Sequence, residues 1–540
     1  MPLTAGHAEE GIGMAKRWWE AACVYQVYPR SFQDGDGDGV GDLRGIERRL
    51  DHIAALGVDA IWLSPIFPSP MADFGYDVAD YCGIEPTFGT LADFDRLLAA
   101  VHARGLKLLL DFVPNHSSDK HPWFVQSRSS RASPKRDWYI WRDPDPDGGP
   151  PNNWTSDFGG SSWTYDEGTG QYYLHAFLKE QPDLNWRNPD VRRAMMDVLR
   201  FWLDRGVDGF RIDVLWHILK AEGLPDNPPN PAYHPDMGEK FRVLQTSSTD
   251  QFEVHDVIAE MRAIADGYDG GDERVLIGEI CLPLPRLMTY YGANRNGVHL
   301  PFNFELVDAP WNARSIAAFI DAYEAALPAG GWPNWVLGSH DARRVAGKLG
   351  EAQARVAAML LLTLRGTPTL YQGDEIGIGE VAIPPDRLRD PRELREPGLG
   401  LGRDPARTPM AWDGSANGGF SDAEPWLPLH ADWRTRNVAA QDADEGSMLN
   451  LYKRLIQLRR EHRALSLGDY APLEAEGDVL AYRRMREDEE LIVLLNLGGH
   501  PQPCPPVPDR FEPILSVLPG DPPSAPTTLR PNEGLLMRRR

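Results

Sequence analysis

Four apolar segments that lie far apart in the chain each end in charged residues, and this pattern limits the folds that the chain can adopt. The segments are Leu106–His116, Val207–Asp213, Val275–Glu279 and Trp335–Asp341. Short runs of Leu, Ile and Val are typical of buried parallel strands. Several such strands, each ending in an acid, bring their carboxylates together at the C-terminal rim of a barrel. No obvious nucleophilic Ser or Cys accompanies these acids, so the pattern favours chemistry on acetals.

Strand-like and helix-like segments alternate along most of the chain, as they do in βα units. Apolar residues recur at helical spacing in Leu91–Arg104 and Val191–Arg205, for example. Eight segments have the composition of strands: Cys23–Tyr28, Ala60–Leu63, Leu106–Phe112, Val207–Ile212, Val275–Ile280, Phe302–Leu306, Trp335–Gly338 and Thr369–Gln372. This number of βα units predicts an α/β protein with a (β/α)8 TIM barrel.

Two parts of the chain interrupt this alternation, and 540 residues exceed what one core usually organises. Residues 116–185 are rich in Trp, Tyr, Pro, Gly and Asp and are too long for a simple loop, which predicts a subdomain inserted after the third strand. Residues 466–540 contain β-like runs spaced by Gly and Pro, which predict a C-terminal antiparallel β-sandwich domain. The catalytic barrel is expected to comprise residues 17–115 and 186–465, and residues 1–16 a disordered N-terminal arm.

The overall charge excludes several classes of partner. A net charge of -23 and a pI near 5.1 argue against binding to nucleic acid or to an anionic membrane surface. No apolar run reaches the length of a membrane span, and the polar N-terminus lacks the apolar core of a secretory signal. Four widely separated cysteines, without a paired motif, are typical of free thiols in a reducing compartment. We therefore expect a cytoplasmic enzyme, monomeric or homodimeric, that acts on a small neutral or cationic substrate.

Three acids at strand ends are the catalytic candidates. Arg211 and Asp213 are two positions apart on one strand, so their side chains share a face, and the arginine is expected to lower the pKa of the carboxyl and keep it ionised as a nucleophile. Glu279 ends an apolar strand, a setting in which a carboxylic acid can hold a proton near neutral pH. Asp341 follows His340 after the seventh strand. Taken singly, each acid is also consistent with a structural ion pair or a helix cap, but together, on neighbouring strands, the three favour catalysis.

At these residues the chain resembles the α-amylase superfamily of glycoside hydrolases (family 13), and within it the oligosaccharide α-glucosidases. Besides the four segments above, the resemblance is carried by Tyr25–Phe32, Phe74–Asp77, Gln181–Asn185, Tyr371–Glu375 and Arg403–Met410. It implies that Asp213 is the nucleophile, Glu279 the general acid/base and Asp341 the transition-state stabiliser. In a retaining mechanism of this kind the two reacting carboxyls lie about 5–5.5 Å apart.

The same resemblance implies a pocket for one terminal glucose. Asp73 and Arg407 are expected to close its far end, and Gln181 to lie at its rim. The expected sugar-binding residues are Asp73, Tyr76, His116, Phe177, Gln181, Arg211, His340 and Arg407. The two aromatic residues suit an oxocarbenium-like sugar, because aromatic faces attract positive charge; ordinary packing is the alternative explanation for them.

A glycine-rich loop with alternate aspartates is the other conspicuous motif. Its carboxylates offer hard oxygen ligands in a tight curl, as a calcium loop does, although it lacks the distant glutamate of an EF-hand. A solvated acidic turn is the alternative. By resemblance to the family, the loop implies a structural Ca²⁺ or Mg²⁺ ion away from the chemistry, with no catalytic cofactor. The expected ligands are Asp34, Asp36, Asp38, Val40 through its carbonyl, and Asp42.

Three functions are compatible with these motifs. The resemblance favours an exo-acting α-glucosidase on short α-glucosides, with some glucosyl transfer. An isomerase or transferase acting on sucrose, trehalose or maltose would use the same three acids. A non-catalytic binding subunit is disfavoured because every acid is present. Val214 resembles the residue that follows the nucleophile in relatives that cleave α-1,6 bonds, and residues 222–248 are expected to shape the site of the second sugar.

Overall fold

The computed structural model describes residues 17–268, 273–302, 304–523 and 526–540, so the predicted N-terminal arm lies outside the described residues. Eight parallel strands form the central sheet, in the order β7–β8–β1–β2–β3–β4–β5–β6. β6 and β7, at its two ends, also lie next to each other, which closes the barrel. The strands are β1 (Val24–Val27), β2 (Ala60–Leu63), β3 (Lys107–Phe112), β4 (Gly209–Ile212), β5 (Val275–Glu279), β6 (Leu300–Phe302), β7 (Asn334–Val336) and β8 (Thr367–Tyr371). The predicted (β/α)8 barrel is confirmed.

The sixth strand lies earlier than the sequence predicts. Phe302 is its last residue and pairs with Glu279, whereas Glu305–Asp308 forms a short helix. Phe304, which precedes that helix, already has a helical backbone, with φ −95° and ψ −8°. Leu306, which was predicted to continue the strand, is therefore buried as part of a short helix instead. Each of the other seven strands lies within two residues of its predicted bounds.

Helices surround the barrel, and their ends follow local sequence signals. Leu91–Ala103 begins at a capping box between Thr90 and Asp93, and Pro189–Asp204 begins after Asn188 with proline in its first turn. The other helices of five or more residues are Leu43–Arg48, Leu50–Leu56, Pro122–Arg128, Val254–Asp266, Ala313–Ala326, Val345–Leu349, Glu351–Thr363, Pro391–Arg395, Val438–Asp442, Met448–Glu461 and Arg463–Leu467. Within the described ranges, none is long and apolar enough to cross a membrane.

The segment between β3 and β4 has its own small sheet. Gln171–Leu174 is the central strand, flanked by Trp141–Arg142 and Trp163–Asp166, all antiparallel. Phe124 is fully buried against the rings of three residues of this subdomain. A backbone bridge between His116 and Asp183 ties the two ends of the insertion together. The insertion therefore begins and ends where β3 leaves the barrel, at the C-terminal rim.

The C-terminal part is an antiparallel β structure, as predicted. Five strands form its main sheet in the order Asp469–Leu473, Val479–Arg486, Glu489–Asn496, Gly534–Arg539 and Phe511–Ser516; Gln502–Pro503 and Thr528–Leu529 form a second, small sheet. Side chains alternate between its two faces. Leu480 and Tyr482 pack into the barrel core, whereas Val479 and Ala481 belong to a separate cluster on the outer face.

Candidate active site

A cavity of about 520 Å³ opens at the C-terminal ends of the barrel strands. Asp213 directly follows β4, Glu279 is the last residue of β5, and Asp341 lies in the loop after β7. Seven of the residues predicted for the site line this cavity: Asp73, Tyr76, His116, Phe177, Asp213, Glu279 and Asp341. The structure thus brings together three acids that are up to 128 positions apart in the sequence, counted from 213 to 341.

Arg211 binds three carboxylates from beneath the cavity. Its Nη1 donates to Asp111 and to Asp213, at 2.8 Å each, and its Nη2 donates to Oε2 of Glu279 at 2.6 Å. The register of the barrel places Asp111 beside Arg211 on the neighbouring strand. On its other side, β4 pairs closely with β5, which requires glycine at position 209, where a Cβ atom would lie 2.1 Å from the carbonyl oxygen of Val275. One guanidinium thereby holds the carboxyls of Asp213 and Glu279 next to each other.

The charge balance of this cluster differs from the one that the sequence predicts. Burial raises the pKa of Asp213 well above its ordinary value, although Arg211 opposes the shift. Burial likewise raises the pKa of Glu279, and it raises that of Asp111 to about 6. Arg211 lowers the pKa of Asp213, as predicted, but burial outweighs this effect because one guanidinium serves three buried acids. The cluster favours retention of a proton, as a general acid requires.

Asp341 lies in the opposite electrostatic environment. Its Oδ1 accepts hydrogen bonds from Nη2 of Arg407 at 2.6 Å and from Nη1 of Arg403 at 3.2 Å. Burial would raise its pKa, but His340, Arg403 and Arg407 outweigh burial and leave the pKa well below its ordinary value. Asp341 is therefore ionised across the neutral pH range.

His340 forms the floor beside Asp341. Its Nε2 lies 2.7 Å from the hydroxyl of Tyr76, and its Nδ1 lies 2.7 Å from the amide nitrogen of Gln26. The rings of His340 and Tyr76 are stacked, with an interplanar angle of 7°. Burial lowers the pKa of His340 to about 3, so the imidazole is neutral. Like Arg211, His340 lies behind the cavity wall and positions residues that line it.

Arg403, not Arg407, lines the cavity next to Asp73. Arg407 is fully buried, and its Nε donates to the carbonyl of His340 at 2.9 Å. Arg403 reaches the cavity, and its Nη2 donates to Oδ1 of Asp73 at 2.8 Å. The prediction that Arg407 closes the far end with Asp73 is thus corrected. The two arginines are four residues apart in one motif, and their order in the sequence does not reveal which one faces the sugar.

Gln181 is buried and does not lie at the rim as predicted. Its amide nitrogen donates to Asp73 at 3.2 Å and lies 3.2 Å from Nε2 of His116. It therefore joins two residues of the cavity wall. Burial lowers the pKa of His116 to about 4, so His116 presents a neutral ring against Phe177, with the ring centroids 5.1 Å apart.

Several residues that the predicted site omits have a place in it. Asp111 is the second-last residue of β3 and follows an apolar run, as the other acids do, so a signal for it existed. Lys240 and Phe241, from the 222–248 segment, line the cavity, and Nζ of Lys240 lies 3.3 Å from the carboxylate of Asp157 in the insertion. The sequence predicted that the 222–248 segment shapes the site, but no signal singled out these two residues within it.

The aspartate loop after β1 brings three carboxylates together. Oxygens of Asp34, Asp36 and Asp42 lie within 4.8 Å of one another. Asp38 is not one of the three, and its carboxylate accepts the backbone N–H of Val40 at 2.8 Å. Three convergent carboxylates, two of them buried, fit a hard divalent cation such as Ca²⁺ or Mg²⁺. The loop is not part of the catalytic cavity.

Comparison with known proteins agrees with this architecture. The sequence model described as "Alpha amylase, catalytic domain" matches residues 26–468. An oligo-1,6-glucosidase of Halalkalibacterium halodurans is 41% identical over 525 residues, covering 90% of this chain and 91% of the relative. The solved structure of the alpha-glucosyl transfer enzyme XgtA matches with a TM-score of 0.92 and 39% identity, covering 97% of this chain and 99% of that chain. Trehalulose synthase MutB from Pseudomonas mesoacidophila MX-45 matches with a TM-score of 0.88 and 36% identity, covering 97% and 99%. The chain therefore belongs to the alpha-amylase family of glycoside hydrolases.

Proposed function

We propose that this protein is a retaining, exo-acting α-glucosidase that removes the terminal non-reducing glucose from short α-glucosides and transfers part of it to acceptors other than water. The observation that carries the proposal is that Asp213 and Glu279 bind neighbouring nitrogens of the same guanidinium, Arg211. This arrangement holds the two carboxyls close together, as retention requires. The family membership and the oligo-1,6-glucosidase relative support the same activity.

The chemistry needs one proton in this cluster, held by Glu279, with Asp213 as the carboxylate bound by Arg211. Asp213 attacks the anomeric carbon while Glu279 donates its proton to the glycosidic oxygen, so the carbon–oxygen bond breaks and a glucosyl ester forms on Asp213. Glu279, now a carboxylate, removes a proton from water, which attacks the same carbon and releases glucose. The backbone N–H of Val214 donates to Oε2 of Glu279 at 2.9 Å, and Arg211 donates to the same oxygen. These donors stabilise the carboxylate form that the second step needs.

Exo action follows from the closed end of the cavity. Arg403 joins Asp73 and Asp341, and we propose that this cluster blocks a sugar chain beyond the terminal residue. Ionised Asp341 can accept hydrogen bonds from sugar hydroxyls and stabilise developing positive charge on the ring. Tyr76 and Phe177 present aromatic surfaces to the same sugar.

Linkage preference is proposed to include α-1,6 bonds. Val214, directly after the nucleophile, adopts the left-handed backbone region with φ 35°, which is strained for a β-branched residue. Val214 lines the cavity next to the two reacting carboxyls. The similarity to trehalulose synthase makes sucrose isomerisation the second candidate, and the products formed from sucrose separate the two.

We also propose a structural divalent cation on the aspartate loop, held by Asp34, Asp36 and Asp42. Asp42 is also the N-cap of helix Leu43–Arg48, so a cation would stabilise the turn between β1 and that helix.

We propose a cytoplasmic location because all four cysteines are free thiols, as is typical of a reducing compartment. Sedimentation of the purified protein would decide between monomer and homodimer.

The test is turnover of p-nitrophenyl α-glucoside by the wild type and by Asp213→Asn. Activity that falls by several orders of magnitude in a folded variant would support both the activity and the nucleophile. Glucose release from maltose, isomaltose and sucrose then ranks the linkages, and glucosyl–fructose isomers formed from sucrose would indicate the isomerase instead. A folded wild type that turns over none of these compounds would overturn the proposal.

A further inference from the structure

A second cavity, of about 530 Å³, lies where three segments of the chain meet, and we call it the junction cavity. The three segments are the insertion, the 222–248 segment and the loop after β8. Among the described residues, only Phe158 lines both this cavity and the catalytic one. The residues that matter below are Gly159, Tyr233, Glu239, Arg395, Glu396 and Leu399. The proposed reaction uses none of these six.

Glu396 brings a buried carboxylate to the junction cavity. Only 8% of its surface is exposed. Its Oε1 accepts the backbone N–H of Glu239 at 2.7 Å, whereas its Oε2 is buried and has no hydrogen-bond partner in the described part of the chain. A buried carboxylate oxygen without a donor is costly, and a ligand that carries N–H groups would remove that cost.

The approach of the insertion to Glu396 depends on a glycine. Gly159 has a φ of 80°, in the left-handed region, and a Cβ atom there would lie 2.8 Å from the side chain of Glu396. The carboxylate is therefore held between the insertion on one side and the backbone N–H of Glu239 on the other. Its position at the junction is fixed by the fold and not by a flexible surface chain.

The charged groups around this carboxylate leave the cavity with negative charge. Glu239 also lines the cavity, and its carboxylate accepts a backbone N–H of the insertion at 2.5 Å. Arg395 donates to the carbonyls of Phe158 and Gly159, at 3.0 and 2.9 Å. Neither glutamate forms an ion pair with a described Lys, Arg or His side chain. Two carboxylates thus line the cavity with one guanidinium, in a chain whose net charge of -23 already attracts cations.

The rest of the lining suits the hydrocarbon part of an organic cation better than it suits a bare metal ion. Tyr233 contributes an aromatic ring, which attracts positive charge, and Leu399 contributes apolar surface. The volume is that of a small-molecule site. Ca²⁺ or Mg²⁺ needs about six oxygen ligands, and within the described ranges no third acidic side chain converges with Glu239 and Glu396.

We propose that the junction cavity binds a small organic cation with a primary ammonium group, at a site separate from that of the sugar. The ammonium group donates to Oε2 of Glu396 and to the carboxylate of Glu239, and its hydrocarbon part lies against the apolar lining. The ligand connects two loops that continue into the wall of the catalytic cavity, at Lys240 and Leu401. It leaves the position of the glucose free.

The experiment measures the affinity of butylammonium by isothermal titration calorimetry at constant ionic strength. Butan-1-ol, the neutral analogue, and K⁺, a small cation without N–H groups, are titrated in the same way. We expect butylammonium to bind the wild type at least about tenfold more tightly than either. Glu396→Gln keeps the shape of the side chain but removes its charge, so it should weaken butylammonium binding by about 10- to 100-fold.

Three further variants make the result specific to this cavity. Glu239→Gln changes an exposed residue, leaves the core intact, and should also weaken binding. Glu222→Gln is the matched control, because Glu222 is an exposed glutamate of the same segment that does not line the junction cavity; it should bind as the wild type does. Asp341→Asn tests the catalytic cavity, whose ionised aspartate also attracts cations, and should bind as the wild type does.

Three results would overturn the proposal. They are no binding of butylammonium by the wild type, affinity unchanged in both Glu396→Gln and Glu239→Gln, and loss of binding in Asp341→Asn alone. The last of these would place the cation in the catalytic cavity. Because the calorimetric readout needs no turnover, the outcome is independent of the proposed α-glucosidase activity.

Discussion

The buried ion pair between Lys220 and Asp183 allows a quantitative prediction of protein stability. Nζ of Lys220 lies 2.6 Å from Asp183 and donates to the side-chain carbonyl of Asn115 at 2.8 Å. Both charged side chains are almost wholly buried, with 3% and 0% of their surfaces exposed. Asn115 also binds Asp183 and lies 3.1 Å from Nδ1 of His116. The pair thereby links the segment after β4 to both ends of the insertion.

Lys220→Met keeps the volume of the side chain but leaves the carboxylate of Asp183 without its cation. Removing one partner of a buried pair costs about 3–5 kcal/mol. Asp183 keeps N–H donors from Asn115 and Ala176, so the lower end of that range applies. At ~2.1 cal/mol/K per residue, a chain of 540 residues has an unfolding entropy of ~1.1 kcal/mol/K. A loss of about 3 kcal/mol therefore predicts a fall in Tm of about 3 °C, or more if a smaller unit unfolds first.

The assay is calorimetry at one scan rate and one protein concentration, because a chain of this size need not unfold in a single step. Burial lowers the pKa of Lys220 despite the nearby Asp183, which indicates that the pair only partly offsets its own desolvation. Consequently Lys220→Met/Asp183→Asn should be more stable than Lys220→Met alone. A Tm for Lys220→Met equal to that of the wild type, or strictly additive losses in the double variant, would refute the reasoning.

Three further predictions concern the site and the loop. Arg403→Ala should lower kcat/KM for isomaltose by about 10- to 100-fold through loss of a charge-assisted contact beside Asp73; unchanged kinetics would remove Arg403 from the pocket. Because the folded-state pKa of Asp213 is raised, its contribution to stability is greatest at low pH and is lost as the pH rises above about 4. Asp213→Asn should therefore raise Tm at pH 8 and change it little at pH 4, and the reverse trend would contradict the shift. Chelation by EDTA should lower Tm in the wild type, Ca²⁺ should restore it, and Asp36→Asn should abolish both responses; a wild type indifferent to EDTA and Ca²⁺ would argue against the metal.

Much of the barrel could be predicted because its strands are continuous apolar runs. Buried parallel strands need apolar side chains on both faces, so the runs are visible without knowledge of their partners. The sixth strand was predicted too late in the chain. Leu306 and Val307 are as apolar as the residues of a strand, but they are buried as part of a short helix. Composition over a few residues does not separate these two cases.

Within the site, the acids at strand ends were predictable, whereas the layer behind them was not. Arg403 and Arg407 have the same chemistry in one short motif, and only the folded loop shows which one meets Asp73. The net pKa direction of Asp213 depends on its burial and on how many acids share Arg211, and neither is visible from the sequence Arg211–Asp213 alone. The position of Lys240 and Phe241 in the cavity wall depends on the fold of a long loop, for which the sequence carries no periodic signal.

The most direct test of the account is to trap the covalent intermediate. A fluorinated α-glucosyl fluoride that forms the ester quickly and hydrolyses slowly can be incubated with the wild-type enzyme, which is then digested and analysed by peptide mass spectrometry. The account predicts one glucosyl adduct, on the carboxylate of Asp213, and slower release of that adduct in Glu279→Gln. An adduct on a different residue, or release of β-glucose as the first product without any adduct, would contradict it.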